Sequence, residues 1–235
     1  MTAELLEGFQ EKCDLIKNDP NTRAVVITGK GNCFSAGADF RSQVQIDDDT
    51  SMPHEKSYNI YKPFLSVIDI KVPVIAACNG HAVGGGFGLA MACDLRIFHS
   101  TSKYGVNFCK LGISPGMGLS YTLPAQIGYA KASELFYTAK LFSGQEAFEW
   151  GLASSVHEND VFMHALALAK EIAANAPLAI RSTKTLLQSS HRESILSAAK
   201  GEAIYQAELL STPDSKEGMS ALLEKRNPVF LGKPT

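Results

Sequence analysis

The sequence lacks a charge imbalance and a basic segment. Its 235 residues carry 22 Lys and Arg against 24 Asp and Glu, which gives a formal net charge of −2. A protein that follows a nucleic-acid backbone needs a patch of Lys and Arg, and no run here is long enough to make one. We therefore expect no nucleic-acid partner.

The five cysteines form no metal-binding or disulfide pattern. They are scattered and odd in number, and neither a CxxC nor an HxxxH pair occurs. Disulfide frameworks and zinc sites both need defined Cys or His spacings. We expect reduced thiols, no metal and a cytoplasmic location.

No hydrophobic run is long enough for a membrane span. The apolar stretch 72–98 is interrupted by Asn79, His81, Asp94, Arg96 and five glycines. A spanning helix needs about 20 mainly apolar residues in a row. The first 13 residues have an amphipathic, acidic pattern, which does not match a signal or transit peptide. We expect no membrane partner.

A glycine-rich segment, 79–88 (NGHAVGGGFG), dominates what is present. The apolar run 72–78 before it predicts a buried strand, and Leu89 to Ala92 after it predicts the start of a helix. Glycines at such a junction allow turns that a β-carbon forbids, and they leave main-chain N–H groups bare where the helix dipole favours negative charge. That arrangement can hold a developing oxyanion. The alternative is a tight turn that needs small residues for packing.

Hydrophobic periodicity predicts an α/β fold. Strands and helices alternate through the first two thirds of the chain, and the last third is helical. Ser143 and Glu146 form a capping-box pattern that predicts a helix start. We expect a core over residues 1–175 and a C-terminal helical oligomerisation region over 176–235. The predicted strands are 23–28, 72–78, 94–99, 103–106 and 152–156, and the predicted helices are 3–18, 58–68, 143–150, 162–174, 178–188, 195–210 and 216–224.

Five motifs occur in a characteristic order: FSAGADF (34–40), NGHAVGGGFGLAMACD (79–94), LGISPGMG (111–118), SGQEAFEWGLASSV (143–156) and KEGMSALLEKRNPVF (216–230). Together they resemble the crotonase (enoyl-CoA hydratase/isomerase) superfamily, from about residue 3 to the C-terminus. The resemblance implies a spiral of repeated ββα units with C-terminal helices that support a trimer or a dimer of trimers. It also implies an acyl-CoA thioester substrate, with no cofactor beyond the coenzyme A of the substrate. An organelle of fatty-acid metabolism is the alternative location.

The resemblance also implies a set of site residues. By motif position, the backbone N–H groups of Ala38 and Gly85 form the oxyanion hole for the thioester carbonyl. Each such donor stabilises a transition state by roughly 3 to 4 kcal/mol. Residues implied to contact the coenzyme A or acyl moiety are Ala36, Asp39, Phe40, Gly84, Phe108, Leu111, Pro115, Lys225 and Phe230.

The sequence departs from the family at its carboxylates. Hydratases of the family use two glutamates, and these positions hold Gly88 and Phe108 here. A single carboxylate of the isomerase branch corresponds to Gly116. The chain also opens within the helix that follows the family's N-terminal hairpin, so this hairpin is either truncated or absent. The candidates for an acid or base that remain are His54, Tyr61 and Tyr121. Tyr58 and Tyr61 are predicted to face the same way.

Three hypotheses stay open. The first is an enzyme, a lyase or isomerase acting on acyl-CoA, whose reaction is hydration, isomerisation, thioester hydrolysis, decarboxylation or retro-Claisen cleavage. The second is a non-catalytic acyl-CoA-binding or assembly protein on the same scaffold. The third, a Clp-type peptidase, requires a base beside Ser35 or Ser114, and no base is placed there by the sequence.

Overall fold

In the computed structural model, which describes residues 2–37 and 51–233, the strands form two four-stranded sheets. The first sheet is parallel and has the order β1 (Val25–Thr28), β3 (Val74–Cys78), β5 (Leu95–His99), β8 (Ser155–His157). The second has the order β2 (Cys33–Ser35), β4 (His81–Val83), β6 (Lys103–Gly105), β7 (Phe142–Ser143), and only its β6–β7 pair is antiparallel. The first six strands thus alternate between the two sheets. This alternation confirms the predicted crotonase-like spiral of ββα units.

Helices follow or cover these strands. They are α1 (Ala3–Asn18), α2 (Pro53–Leu65), α3 (Gly85–Ala92), α4 (Leu119–Ile127), α5 (Tyr129–Thr138), α6 (Gly144–Glu149), α7 (Val161–Ala173), α8 (Pro177–Gln188), α9 (His191–Leu210) and α10 (Pro213–Glu224). Two 3₁₀ helices span Ser66–Asp69 and Asn107–Leu111. A helix able to cross a bilayer is not found among the described residues.

The glycine-rich segment differs from its prediction. Strand β4 lies between the predicted strand and the helix, and α3 begins at Gly85 rather than at Leu89. Strand β4 has only three residues and pairs with β2 and β6, which are distant in sequence. Every residue of α3 is buried, so the helix has no polar face to mark its start. The last strand likewise begins at Ser155 rather than at Leu152.

Aromatic side chains fill the core between the sheets. Phe98 and Tyr104 stack with ring centroids 4.3 Å apart, and Phe87 meets Phe142 edge-on at 5.5 Å. The buried Tyr104 hydroxyl donates to the carbonyl of Cys78 at 3.1 Å. The hydroxyl of Tyr104 is thus satisfied within the core, as burial of a polar group requires.

The C-terminal helices pack on this core. Helix α9 lies mainly against α2 and α4, and its Ile195 and Ala199 belong to the main hydrophobic cluster. Helix α8 is joined to the first sheet through buried Lys184, whose Nζ lies 2.6 Å from Asp94 Oδ2 and 2.8 Å from the carbonyl oxygen of Val72. Asp94 in turn accepts from the N–H of Val74 at 2.7 Å. Helix α8 is therefore fixed relative to β3 and β5, the strands that precede and follow the glycine-rich segment in the chain.

Candidate active site

One cavity of about 650 Å³ gathers the glycine-rich turn, the end of β2 and three helices. Ala36 and Gly37 border it after β2, and Val83, Gly84 and Gly85 border it between β4 and α3. The second 3₁₀ helix and the turn after it contribute Asn107, Phe108, Lys110, Leu111 and Ile113. Helices α2, α9 and the end of α10 contribute Ser57, Ile60, Tyr61, Gln206, Leu210, Leu222, Leu223 and Lys225. The volume is within the range of small-ligand sites.

The turn between β4 and α3 presents backbone to this cavity. Gly84 has φ +56° and ψ −126°, a conformation that only glycine adopts readily, and its N–H donates to the carbonyl of Gly105 at 2.9 Å. Gly85 is the first residue of α3, so its N–H has no acceptor within the helix and lies at the positive end of the helix dipole. A β-carbon at Gly37 would lie 3.4 Å from the Gly85 nitrogen. Glycine at position 37 thus keeps the space beside that nitrogen open.

The second N–H donor that the resemblance implies for the oxyanion hole is not among the described residues. Ala38, together with the coenzyme-binding candidates Asp39 and Phe40, lies outside the described residues. The neighbouring residues Ala36 and Gly37 border the same cavity as Gly85.

Other side chains occupy the space at the family's carboxylate positions. A β-carbon at Gly88 would meet Met117, whose Cγ would be 2.7 Å away, and Leu119 at 3.5 Å. A β-carbon at Gly116 would lie 2.7 Å from the Tyr61 ring and 2.9 Å from Gln206 Nε2. Phe108 is 2% exposed and closes the remaining position with a phenyl ring. The described lining of the cavity contains no Asp or Glu.

Tyr61 and Gln206 form a buried polar pair across α2 and α9. Gln206 Nε2 donates to the carbonyl oxygen of Ser114 at 2.8 Å and contacts the Tyr61 hydroxyl oxygen at 3.4 Å. Burial raises the pKa of Tyr61 to about 12, so its hydroxyl keeps its proton at neutral pH. The cavity therefore contains neutral hydrogen-bonding groups in place of a carboxylate.

The sequence-predicted site residues separate into two groups. Those brought together in the cavity are Ala36, Gly84, Gly85, Phe108, Leu111, Tyr61 and Lys225. Pro115 is in the loop before Gly116 but is not among the residues that line the cavity. Phe230 lines a separate groove of about 550 Å³ with Cys109 and Asp214.

The remaining two acid–base candidates lie away from the cavity. His54 lines an outer groove with Tyr58 and Lys200. Tyr58 and Tyr61 are about 60° apart around α2, yet they border different cavities, Tyr58 the outer groove and Tyr61 the 650 Å³ cavity. The Tyr121 hydroxyl is 3.0 Å from His191 Nδ1, at the contact between α4 and α9.

Sequence reasoning missed Gln206 and Ser57 as cavity residues. A signal for Gln206 was present, because Ile195, Ala199, Glu202 and Gln206 follow the spacing of a single helix face, and all four are buried. Polar residues on the apolar face of a helix indicate a specific partner. Glu202 is an example, since its carboxylate accepts from the N–H groups of Gly118 and Ser120, both at 2.7 Å.

The described residues contain no group of His, Cys, Asp and Glu side chains that would hold a metal ion. Two cationic side chains, Lys110 and Lys225, line the cavity. Cations beside a cavity whose described lining has no Asp or Glu favour a ligand with anionic groups.

Comparison with known proteins defines the class to which this fold and cavity belong. The family model for enoyl-CoA hydratase/isomerase matches residues 1–233, so the chain belongs to the enoyl-CoA hydratase/isomerase family.

Individual relatives are similar over nearly the whole chain. A probable enoyl-CoA hydratase of Bacillus subtilis is 36% identical over 99% of this chain and 91% of its own length. The mitochondrial methylglutaconyl-CoA hydratase of Rattus norvegicus is 33% identical over 99% of this chain and 75% of its own length. The crystal structure of an enoyl-CoA hydratase/isomerase from Pseudoalteromonas atlantica superposes with a TM-score of 0.87 at 25% identity, covering 98% of this chain and 90% of the other.

Proposed function

We propose that this protein is an enzyme that binds an acyl-CoA thioester and polarises its carbonyl oxygen with the N–H groups of Gly85 and Ala38. The observation that carries the proposal is the position of Gly85, at the N-terminus of α3 and at the edge of the 650 Å³ cavity. Backbone donors at a helix N-terminus stabilise negative charge on an oxygen without a charged side chain. Family membership supports the choice of a coenzyme A thioester.

The chemistry follows from what the oxyanion hole does to the thioester. Two hydrogen bonds to the carbonyl oxygen stabilise its negative charge by roughly 3 to 4 kcal/mol for each donor. That charge arises either when a bond at the adjacent carbon breaks and leaves its electron pair as an enolate, or when a nucleophile adds to the carbonyl carbon. Hydration by paired glutamates is not the mechanism that we propose, because Gly88 and Phe108 hold those positions. Tyr61 is the proposed proton donor, since its neutral O–H group lines the cavity and its ring lies beside Gly116.

A second candidate function is non-catalytic binding of acyl-CoA. Met117, Tyr61 and Phe108 fill the space of the family's carboxylates, and this observation favours a scaffold that retains binding without turnover. Both candidates need the same cavity, so binding alone does not distinguish them. Turnover of an acyl-CoA panel, followed by product analysis, does.

We also propose assembly into a trimer or a dimer of trimers, as the family resemblance implies. Helix α8 supports this, because Leu178, Leu186 and Leu187 are each at least 75% exposed in the single chain. Large apolar side chains that a single chain leaves exposed are candidates for burial between subunits. Light scattering coupled to size-exclusion chromatography measures the number of subunits, and a monomeric mass would contradict the proposal.

The test of the oxyanion hole uses Gly85→Pro, which removes the N–H group at a helix position where proline is tolerated. Titration calorimetry compares acetyl-CoA and crotonyl-CoA with free coenzyme A, which lacks the carbonyl oxygen. We expect weaker acyl-CoA binding, lost turnover and unchanged affinity for free coenzyme A. Gly201→Ala, in α9 with no neighbouring atom within 4 Å of the new β-carbon, is the control. The proposal fails if the wild-type protein binds no thioester at high micromolar concentration, or if Gly85→Pro turns over normally.

A further inference from the structure

The inner wall of the cavity carries three buried polar side chains. Ser57 and Tyr61 lie four residues apart on α2, so they are on one face of that helix, and Gln206 faces them from α9. Their exposed fractions are 4%, 9% and 2%. Most of the remaining lining near them is apolar, including Ile60 and Leu210.

The hydrogen bonds of this wall fix which way the Gln206 amide is turned. The carbonyl oxygen of Ser114 accepts only, so the atom of Gln206 that faces it at 2.8 Å is the amide nitrogen. The same nitrogen faces the Tyr61 hydroxyl oxygen at 3.4 Å, which makes that oxygen the acceptor. The hydroxyl hydrogen of Tyr61 is thereby left to donate elsewhere, and among residues 2–37 and 51–233 it has no acceptor.

Ser57 adds a second uncommitted hydroxyl. Its side chain lines the same cavity, and no hydrogen-bond partner for it occurs within the described part of the chain. A hydrocarbon acyl chain that displaced water from this wall would leave both hydroxyls unsatisfied, at a cost of about 1–3 kcal/mol for each buried group. An occupant with a hydrogen-bond acceptor avoids that cost.

The acceptor must also be uncharged. The donors left for a ligand are the hydroxyls of Tyr61 and Ser57, because both amide hydrogens of Gln206 already face Ser114 and Tyr61. Both hydroxyls are neutral, since burial raises the pKa of Tyr61. A carboxylate buried against this wall would need a cation, and the wall itself contains none. A ketone oxygen satisfies both conditions, because it accepts hydrogen bonds and has no charge or donor of its own.

We infer that the Ser57–Tyr61–Gln206 wall recognises a ketone oxygen on the acyl chain, so that the preferred ligands are oxoacyl-CoA thioesters rather than hydrocarbon acyl-CoA thioesters. This inference rests on the proposed acyl-CoA binding. It differs from that proposal because it concerns the acyl chain beyond the thioester, whereas Gly85 concerns the thioester carbonyl itself.

The test compares ligands that have nearly the same shape. Titration calorimetry measures the affinities of 3-oxobutyryl-CoA against butyryl-CoA, and of 4-oxopentanoyl-CoA against pentanoyl-CoA. We expect the oxo member of at least one pair to bind about tenfold more tightly, because a site built to hydrogen-bond a substrate group rejects the analogue that lacks it. Equal affinities within both pairs would overturn the inference.

Two variants test whether the Tyr61 hydroxyl causes the preference for oxoacyl ligands. Tyr61→Phe removes one O–H group and keeps the ring that packs on Gly116. We expect the preference to fall to within about twofold, with weaker binding of the oxo ligands and no loss of affinity for the hydrocarbon ligands, which no longer leave that hydroxyl unsatisfied. Tyr58→Phe, one turn earlier on α2 in the outer groove, is the matched control and should keep the full preference. A preference retained in Tyr61→Phe would also overturn the assignment. If no thioester of either type bound the wild-type protein, the proposed function itself would fail.

Discussion

The side chain of Met117 occupies the space that a β-carbon on Gly88 would need, with Met117 Cγ only 2.7 Å from that position. Both residues are buried, and Met117 is held there by a left-handed backbone with φ +68°. Gly88 is one of the positions to which the family resemblance assigns a glutamate in hydratases. The missing carboxylate is therefore accompanied by a repacked core, and a single substitution at Gly88 would not leave room for one.

The first prediction concerns this contact. We expect Gly88→Ala to lower the free energy of unfolding by about 1–3 kcal/mol, because the added methyl group overpacks the core against Met117. Gly201→Ala is the matched control, and we expect it to raise the free energy of unfolding by about 0.5–1 kcal/mol, since α9 has open space there. Urea denaturation measures both values. Equal stabilities of the two variants would contradict the steric assignment.

The second prediction concerns Glu202, which caps the N-terminus of α4 from α9. Glu202→Gln leaves one of the N–H groups of Gly118 and Ser120 without an acceptor, so we expect a loss of about 1–3 kcal/mol at neutral pH. The variant also retains the volume of the side chain. Denaturation midpoints at pH 7 give the difference, and an unchanged midpoint would rule out the capping role.

The third prediction is a pH dependence at the same residue. Burial raises the pKa of Glu202 above its ordinary value, so the folded protein binds this proton more tightly than the unfolded chain does. Its contribution to the free energy of unfolding therefore falls as pH rises from the ordinary glutamate pKa through the raised one. Stability of the wild-type protein minus that of Glu202→Gln should decrease over this interval. A difference that increases with pH would show that the shift has the opposite sign.

The fourth prediction concerns the buried ion pair of Lys184 and Asp94. Lys184→Met leaves the Asp94 carboxylate without its cation, and we expect a loss of about 3–5 kcal/mol, since a half-broken buried pair is costly. Lys131→Met breaks an exposed pair with Glu134 and removes the ammonium group over the Trp150 ring, and should cost less than about 2 kcal/mol. Chemical denaturation compares the two variants. Similar losses at both sites would mean that burial of Lys184 does not matter.

The fifth prediction tests Lys225 as a contact for the phosphates of coenzyme A. Lys225 has a left-handed backbone at the end of α10, a conformation that asparagine tolerates, so Lys225→Asn removes the charge and preserves the turn. We expect a two- to fivefold weaker affinity for coenzyme A and a smaller effect of added salt on that affinity. Lys30→Asn, in an exposed turn, is the control. An unchanged affinity in Lys225→Asn would remove this residue from the proposed site.

Much of the fold follows from local pattern. Strand β1 and helix α1 were predicted from their hydrophobic runs and periodicity, and the capping box at Ser143 and Glu146 does begin α6, with hydrogen bonds of 3.2 Å and 2.8 Å. Strands β4 and β7 were not predicted. They have three and two residues, and their hydrogen bonds come from strands far away in sequence, so no local pattern marks them.

Some features of the candidate site are visible in the sequence, and others depend on tertiary packing. The glycines of the β4–α3 turn are visible in the sequence, because a backbone with φ +56° at Gly84 requires that residue type. The pairing of Tyr61 with Gln206, 145 residues apart, is not visible, because it depends on how α9 crosses α2.

By itself, the sequence determined the family, the glycine-rich turn and the absence of Asp and Glu at positions 88, 108 and 116, since each depends on residue type at a fixed place in the chain. Only the tertiary structure decided what fills those places. Met117, Tyr61 and Gln206 come from three separate segments, and packing between distant segments is set by the shape of the whole core rather than by any local pattern.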